Sequence, residues 1–184
     1  IMRETEGMWV SWAGGDLEKK EELPVRQSIP GEKPQFLQRR VFLDPEEVNN
    51  YYYGFANQAL WPLCHYFLER SNFEEEHWDA YCSVNQKFAD AILEEIDTEN
   101  DLLWLQDYHL ALVAGMLKDK KPDITSSLFW HIPFPHADFF RFIPWRVELL
   151  QGMLGNDMIG FHVRQYCLNF GRAVQSILGY EWDR

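Results

Sequence analysis

Leu102-Leu103-Trp104-Leu105-Gln106-Asp107-Tyr108-His109 is the stretch on which the reading of the fold turns. Its first five residues are a short apolar run after the polar break Asp97–Asp101, suited to a buried parallel strand. Leu110 to Lys118 then reads as a helix, Pro122-Asp123 as a turn, and Ile124 to Ile132 as a second buried strand. A helix over about Pro144 to Leu154, a strand from Met158 to Phe161 and a helix from Val163 to Leu178 follow. Strand and helix patterns thus alternate from Leu102 onward. That alternation predicts βαβ units, hence an α/β fold with a Rossmann-like parallel sheet and helices on both faces.

Upstream, Met8 to Ala13 has the aromatic and β-branched content of a short strand and runs into a Gly14-Gly15 turn. Asp16 to Pro34 is charged and punctuated by prolines, and reads as a surface excursion. Phe36 to Leu43 returns to strand composition. Asp44-Pro45-Glu46-Glu47 opens a helix, with Asp44 as its N-cap, Pro45 in the first turn and acids at the positive end of the dipole. That helix is expected to run to about Leu60, where Pro62 interrupts it. A second helix covers Glu75 to Ile96, on which Trp78, Tyr81, Val84, Phe88, Ala91 and Ile92 recur at three- and four-residue steps.

In open parallel sheets, ligands sit beyond the carboxyl ends of the strands. Three consecutive strand ends deliver Asp107, His131 and His162 to one sheet edge. Singly, each has a plain reading: Asp107 as a helix N-cap, either histidine as a hydrogen-bonded structural residue. Converging, they make that edge the candidate site. Pro133 and Pro135 stiffen the loop that His131 opens. No HExxH and no close Cys/His spacing is present, so no metal site is expected. Tyr51-Tyr52-Tyr53 and Leu60-Trp61-Pro62 form an aromatic cluster, open to reading as core or as a platform for a sugar. Tyr52 and Trp61 are nine positions apart, so the two need not share a helix face.

The 184 residues suit one domain, with 29 acids against 17 bases and a net charge of −12 that disfavours nucleic acid as a partner. A phosphorylated small molecule remains compatible with a local basic pocket. Cys64, Cys82 and Cys167, an odd set without CxxC spacing, read as buried free thiols of a reducing compartment. No apolar run reaches the roughly 18–20 residues of a membrane span and no signal peptide opens the chain, so cytoplasm is the expected location. With strand-like material almost at Ile1 and a stop at Arg184 soon after a helical pattern, the chain reads as a piece of something longer.

The segments WVSWAGG, YYYGFANQALWPLCHYF, VNQKFAD, LLWLQDYHLALVAGMLK, HIPFPHADFFRFIPWR and MLGNDMIGFHVRQYCLNF run in order from Trp9 to Phe170. Together they resemble the trehalose-6-phosphate synthase family. The resemblance implies a GT-B architecture, in which residues 1–184 are the acceptor-binding N-terminal Rossmann-like domain. It also implies that the opening strand of that domain, the glycine-rich donor loop and the C-terminal donor-binding domain lie outside this chain. The activity implied is retaining transfer of glucose from a nucleotide-glucose donor to glucose 6-phosphate, without metal or other cofactor. These 184 residues alone are not expected to turn over.

By the same resemblance, Asp107 orients the acceptor, His131 lies beside the transferred glucose, and Tyr52 and Trp61 line the acceptor site. Trp12 falls at the strand end near the cleft, and His162 lines or supports it. Glycerol 3-phosphate as acceptor, and a non-catalytic sugar-phosphate-sensing paralogue, are the alternatives within reach of the same motifs. The donor nucleotide, a following phosphatase domain and a homo-oligomeric state stay open.

Overall fold

The computed structural model describes residues 7–14, 24–29 and 36–181. Among the described residues there are two three-stranded sheets. In the first, β1 (Met8–Trp12) pairs in parallel with β3 (Phe36–Val41), and β2 (Arg26–Ile29) joins β3 antiparallel. The strand β2 lies inside the stretch expected to be a surface excursion. Its sequence RQSI carries no apolar alternation; it is held by pairing and by Arg26, whose guanidinium meets Glu95 at 2.6 Å. The rest of the Asp16–Pro34 stretch lies largely outside the described residues.

Asp44 caps the next helix as its sequence implies. Its carboxylate accepts from Glu47 N at 2.8 Å while the Glu47 carboxylate accepts from Asp44 N at 2.9 Å, the reciprocal pair of a capping box. A short helix α1 (Pro45–Glu47) then opens into a π-helical segment, Val48–Leu60, and closes as α2 (Trp61–Cys64). The expected stop before Pro62 is therefore corrected: the helix continues to Cys64. Pro62 has no N–H to donate, and the helix passes through it just after the Trp61 N–H donates to Ala56 O. Consecutive residues of a helix point in different directions, which leaves Tyr51 buried, Tyr52 half-buried and Tyr53 exposed.

A 3₁₀ turn, Leu68–Arg70, leads to the long helix α3 (Glu75–Leu93), which packs against the π-helical segment, β1, β3 and the later helix over Val113–Lys120. Its apolar face is ring-rich: Phe55 lies 4.5 Å from Tyr81, and Trp78 stacks on Trp145 at 5.1 Å and 9°. At its end, Arg39 of β3 reaches Glu94 at 2.7 Å and Glu95 at 3.3 Å, which ties the first sheet to α3.

The second sheet matches the reading of the alternating half. Strands β4 (Leu102–Gln106), β5 (Thr125–Trp130) and β6 (Met158–Phe161) run parallel in that order, with Leu105 opposite Leu128 and Leu128 opposite Ile159. A 3₁₀ turn, Tyr108–Leu110, and α4 (Val113–Lys120) connect β4 to β5; α5 (Ala137–Phe140) and α6 (Arg146–Leu154) connect β5 to β6. The short α5 was not anticipated, since its four residues are too few to show a period. After β6 come α7 (Arg164–Ala173) and a π turn, Val174–Leu178.

Leu105, Leu128 and Trp130 are buried on the helix side. On the other side Leu102, Trp104 and Met158 are 67%, 50% and 65% exposed. Apolar residues on both sides are what a doubly covered parallel strand carries; among the described residues, the cover is on one side at this end. Of the cysteines, Cys64 is buried and Cys82 half-buried, but Cys167 is exposed on the solvent side of α7, which corrects the expectation of three buried thiols; none is bonded to another. No helix among the described residues is long and apolar enough to cross a membrane.

Where α4 and α6 cross, glycines replace side chains. A Cβ on Gly155 would lie 2.4 Å from Gly115 N, and one on Gly152 would lie 2.8 Å from Ala111 O. These neighbours are backbone atoms and have no rotamer to yield. Gly155→Ala is expected to destabilise the fold by about 1–3 kcal/mol, the range for overpacking a close contact. Urea denaturation of the intact protein reads it, as a lower midpoint at unchanged slope.

Candidate active site

Asp107 follows the last residue of β4 with φ 71° and ψ 173°. That conformation is nearly confined to glycine and costs on the order of 1–3 kcal/mol in other residues. Three hydrogen bonds hold it there. The Asp107 N–H donates to Phe129 O at 2.8 Å, continuing the β4–β5 ladder past the strand. Its carboxylate Oδ1 accepts from Tyr108 N at 2.9 Å and from His131 N at 3.1 Å. The N-cap reading of Asp107 therefore holds. It caps the 3₁₀ turn, and it also clamps the loop after β4 to the loop after β5.

His131 is exposed beyond β5, with its Nε2 2.8 Å from Gln106 Oε1. Phe129 lies beneath, its ring 4.7 Å from that of His131 and 5.1 Å from that of His162. The two imidazoles stand 5.4 Å apart. The structure thus brings Asp107, His131 and His162 to one edge, as their positions after three parallel strands imply.

The aromatic residues divide. Tyr52 stacks on His109 at 5.3 Å and 13°, and Trp12 lies 5.9 Å from Tyr52 on its way in from β1. Trp12, Tyr52 and His109 therefore bridge the carboxyl ends of β1 and β4. Trp61 belongs to a second group, stacked on His65 at 3.9 Å and on Phe67 at 6.4 Å, and is 39% exposed. The two cannot be treated as one platform, as their spacing along the helix suggested. Cys64, in the same turn as Trp61, is near enough to Asp107 for the carboxylate to reinforce what burial does, and both push its thiol pKa well up.

Supporting groups escaped the sequence reading. Asn85 is fully buried on the apolar face of α3; its Nδ2 donates to His109 O at 3.0 Å and to Tyr81 O at 2.9 Å, and its Oδ1 accepts from Leu112 N at 3.1 Å. Tyr81 Oη donates to Tyr108 O at 2.5 Å and accepts from Ala111 N at 3.2 Å. Tyr51 Oη donates to His109 O at 3.1 Å, and Tyr108 Oη to Asn57 Oδ1 at 2.9 Å. The backbone of Tyr108-His109 is thus gripped from two helices. One signal was available in the sequence: Asn85 is a polar residue four positions after Tyr81, inside an apolar stripe.

Two outcomes are expected from this support. Asn85→Ala leaves the buried Leu112 N–H unpaired, and should lower stability by about 1–3 kcal/mol in urea denaturation. His109 is desolvated, which holds its pKa below the ordinary 6.5 despite the opposing pull of Asp107. The unfolded imidazole therefore takes up its proton first, so this contribution is full above about pH 6.5 and is lost as pH falls below it. His109→Gln should flatten that acid decline when the pH dependence of stability is compared with the parent.

The model of glycosyltransferase family 20 matches residues 1–184. The α,α-trehalose-phosphate synthase (UDP-forming) of Schizosaccharomyces pombe is 39% identical over 174 residues, which cover 92% of this chain and 33% of that protein. The solved trehalose-6-phosphate synthase of E. coli bound with UDP-2-fluoro glucose superposes with a TM-score of 0.86 at 27% identity, over 96% of this chain and 38% of that one. The Burkholderia xenovorans synthase solved with glucose-6-phosphate gives 0.81 at 25% identity, over 95% and 38%. The chain spans about a third of the length of such relatives. Its α/β fold with a parallel sheet matches the N-terminal part of these GT-B structures. With the family model and the fold in agreement, the chain belongs to glycosyltransferase family 20, the trehalose-6-phosphate synthase family.

Proposed function

We propose that the intact protein moves glucose, with retained anomeric configuration, from a nucleotide-glucose donor to glucose 6-phosphate, giving trehalose 6-phosphate. Residues 1–184 supply the acceptor side of the cleft as its N-terminal domain. The observation that carries this reading is the clamp of Asp107 on the His131 backbone at 3.1 Å, which joins the two candidate groups at one strand edge. In family terms it has the support of relatives named as UDP-forming synthases and of homologues solved with UDP-2-fluoro glucose and with glucose-6-phosphate.

The chemistry follows from what these groups can do. An oxocarbenium-like transition state needs positioned hydroxyls and a stabilising field more than an added nucleophile. An Asp107 carboxylate held by two backbone donors keeps free oxygen lone pairs to accept from acceptor hydroxyls. Its strained backbone fixes where they point. The His131 imidazole would hydrogen-bond the transferred glucose as charge develops, and the leaving phosphate would help take the proton of the attacking hydroxyl. Tyr52, Trp12 and Trp61 offer aromatic faces to the sugar ring, in two groups and not one.

The test offers UDP-glucose and ADP-glucose to the intact protein, each against glucose 6-phosphate and glycerol 3-phosphate. Trehalose 6-phosphate is the expected product, and His131→Ala should lower kcat by on the order of 100-fold or more. Product with glycerol 3-phosphate alone makes it a glucosylglycerol-phosphate synthase. No product from a folded protein that still binds sugar phosphate makes it a regulatory paralogue. Near-normal turnover by His131→Ala removes the role given to His131.

A further inference from the structure

Gln106 closes β4, one residue before the strained Asp107, and none of the roles above uses its side chain. Its Oε1 lies 2.8 Å from His131 Nε2. The neighbouring Asp107 carboxylate receives the His131 backbone N–H at 3.1 Å. One histidine is therefore held at both ends, backbone by Asp107 and ring by Gln106, from two successive residues of one strand end. Phe129 fixes the ring from below at 4.7 Å.

An amide oxygen can only accept, so the proton of that bond must sit on the imidazole. We infer that Gln106 is a positioning residue for His131, holding its ring in the Nε2–H tautomer and presenting Nδ1 as a hydrogen-bond acceptor for a ligand hydroxyl.

The consequence is chemical. A neutral imidazole in this tautomer accepts a proton-bearing group at Nδ1, which a sugar hydroxyl supplies. The imidazolium would instead present a donor at the same position. Gln106, being neutral, does not favour that charged form, where a carboxylate at the same place would. Among the described residues, the ionisable groups in contact with His131 are the Asp107 carboxylate, on its backbone N–H, and the His162 imidazole, 5.4 Å from its ring, from the loop after β6. Neither makes the 2.8 Å contact that Gln106 makes with Nε2. What Nδ1 meets rests on the proposed glucosyl transfer; the tautomer and the ring orientation do not.

Two measurements on the intact protein separate these claims. In ¹H–¹⁵N spectra of histidine-labelled protein, with the His131 signals assigned through His131→Gln, the Nε2–H tautomer is expected. In Gln106→Glu the His131 titration midpoint should rise by about one pH unit or more, as for an opposite charge at hydrogen-bond distance. An Nδ1–H tautomer, or a midpoint unmoved by Gln106→Glu, overturns the inference whatever the enzyme does. In turnover, Gln106→Leu should lower kcat by on the order of 100-fold with KM for the acceptor little changed, the cost of a misplaced reacting group. Gln106→Glu should carry the acid limb of the kcat profile upward with the midpoint. A KM rise at unchanged kcat in Gln106→Leu would make Gln106 a substrate ligand and overturn the positioning role. If the parent protein transfers no glucose, the functional reading fails and the spectra still decide the pair.

Discussion

The site depends on a carboxylate that is busy with backbone. Asp107 occupies a region of φ and ψ suited to glycine, and it stays there because three hydrogen bonds reach it from β5, from its own following turn and from the His131 amide. Strain of this kind persists only where the surroundings over-determine it. Here they do so through an all-polar grip on Tyr108-His109 from Tyr51, Tyr81 and Asn85, on two different helices. The ring cluster around Phe55, Trp78 and Tyr81 places those helices. The hydrophobic core and the site are consequently one construction, joined at Asn85 and Tyr81.

The parallel sheet was legible because its strands are short apolar runs separated by helical periods, and β4 and β6 begin and end where composition changes. The strand ends that carry Asp107, His131 and His162 were legible for the same reason. Elements held by pairing or geometry were not. β2 has no apolar alternation and exists by its bonds to β3 and its ion pair. The helix passes through Pro62 after a wide-wound segment that no local propensity announces. Gln106 read as the polar end of a strand, since nothing in a linear sequence says that position 106 meets position 131. The split of Tyr52 from Trp61 was suggested by their spacing, but their partners, His109 and His65, had to be seen.

The acidic balance of the chain says little about the edge itself. Many of its carboxylates are engaged on the surface or at helix ends: Glu94 and Glu95 with Arg39, Asp90 with Lys120, Asp157 with Lys118 and the Ser126 amide. The edge around His131 instead brings together Gln106, Asp107, Phe129 and His162.

The glycine contact between α4 and α6 has a mechanical side. With Gly115, Gly152 and Gly155 bringing backbone against backbone, the two crossover helices cannot slide without moving main chain. The strands they connect end in the loops of Asp107, His131 and His162. These three loops are therefore tied to one pair of helices in main-chain contact, so a displacement of one loop is passed to the others through backbone.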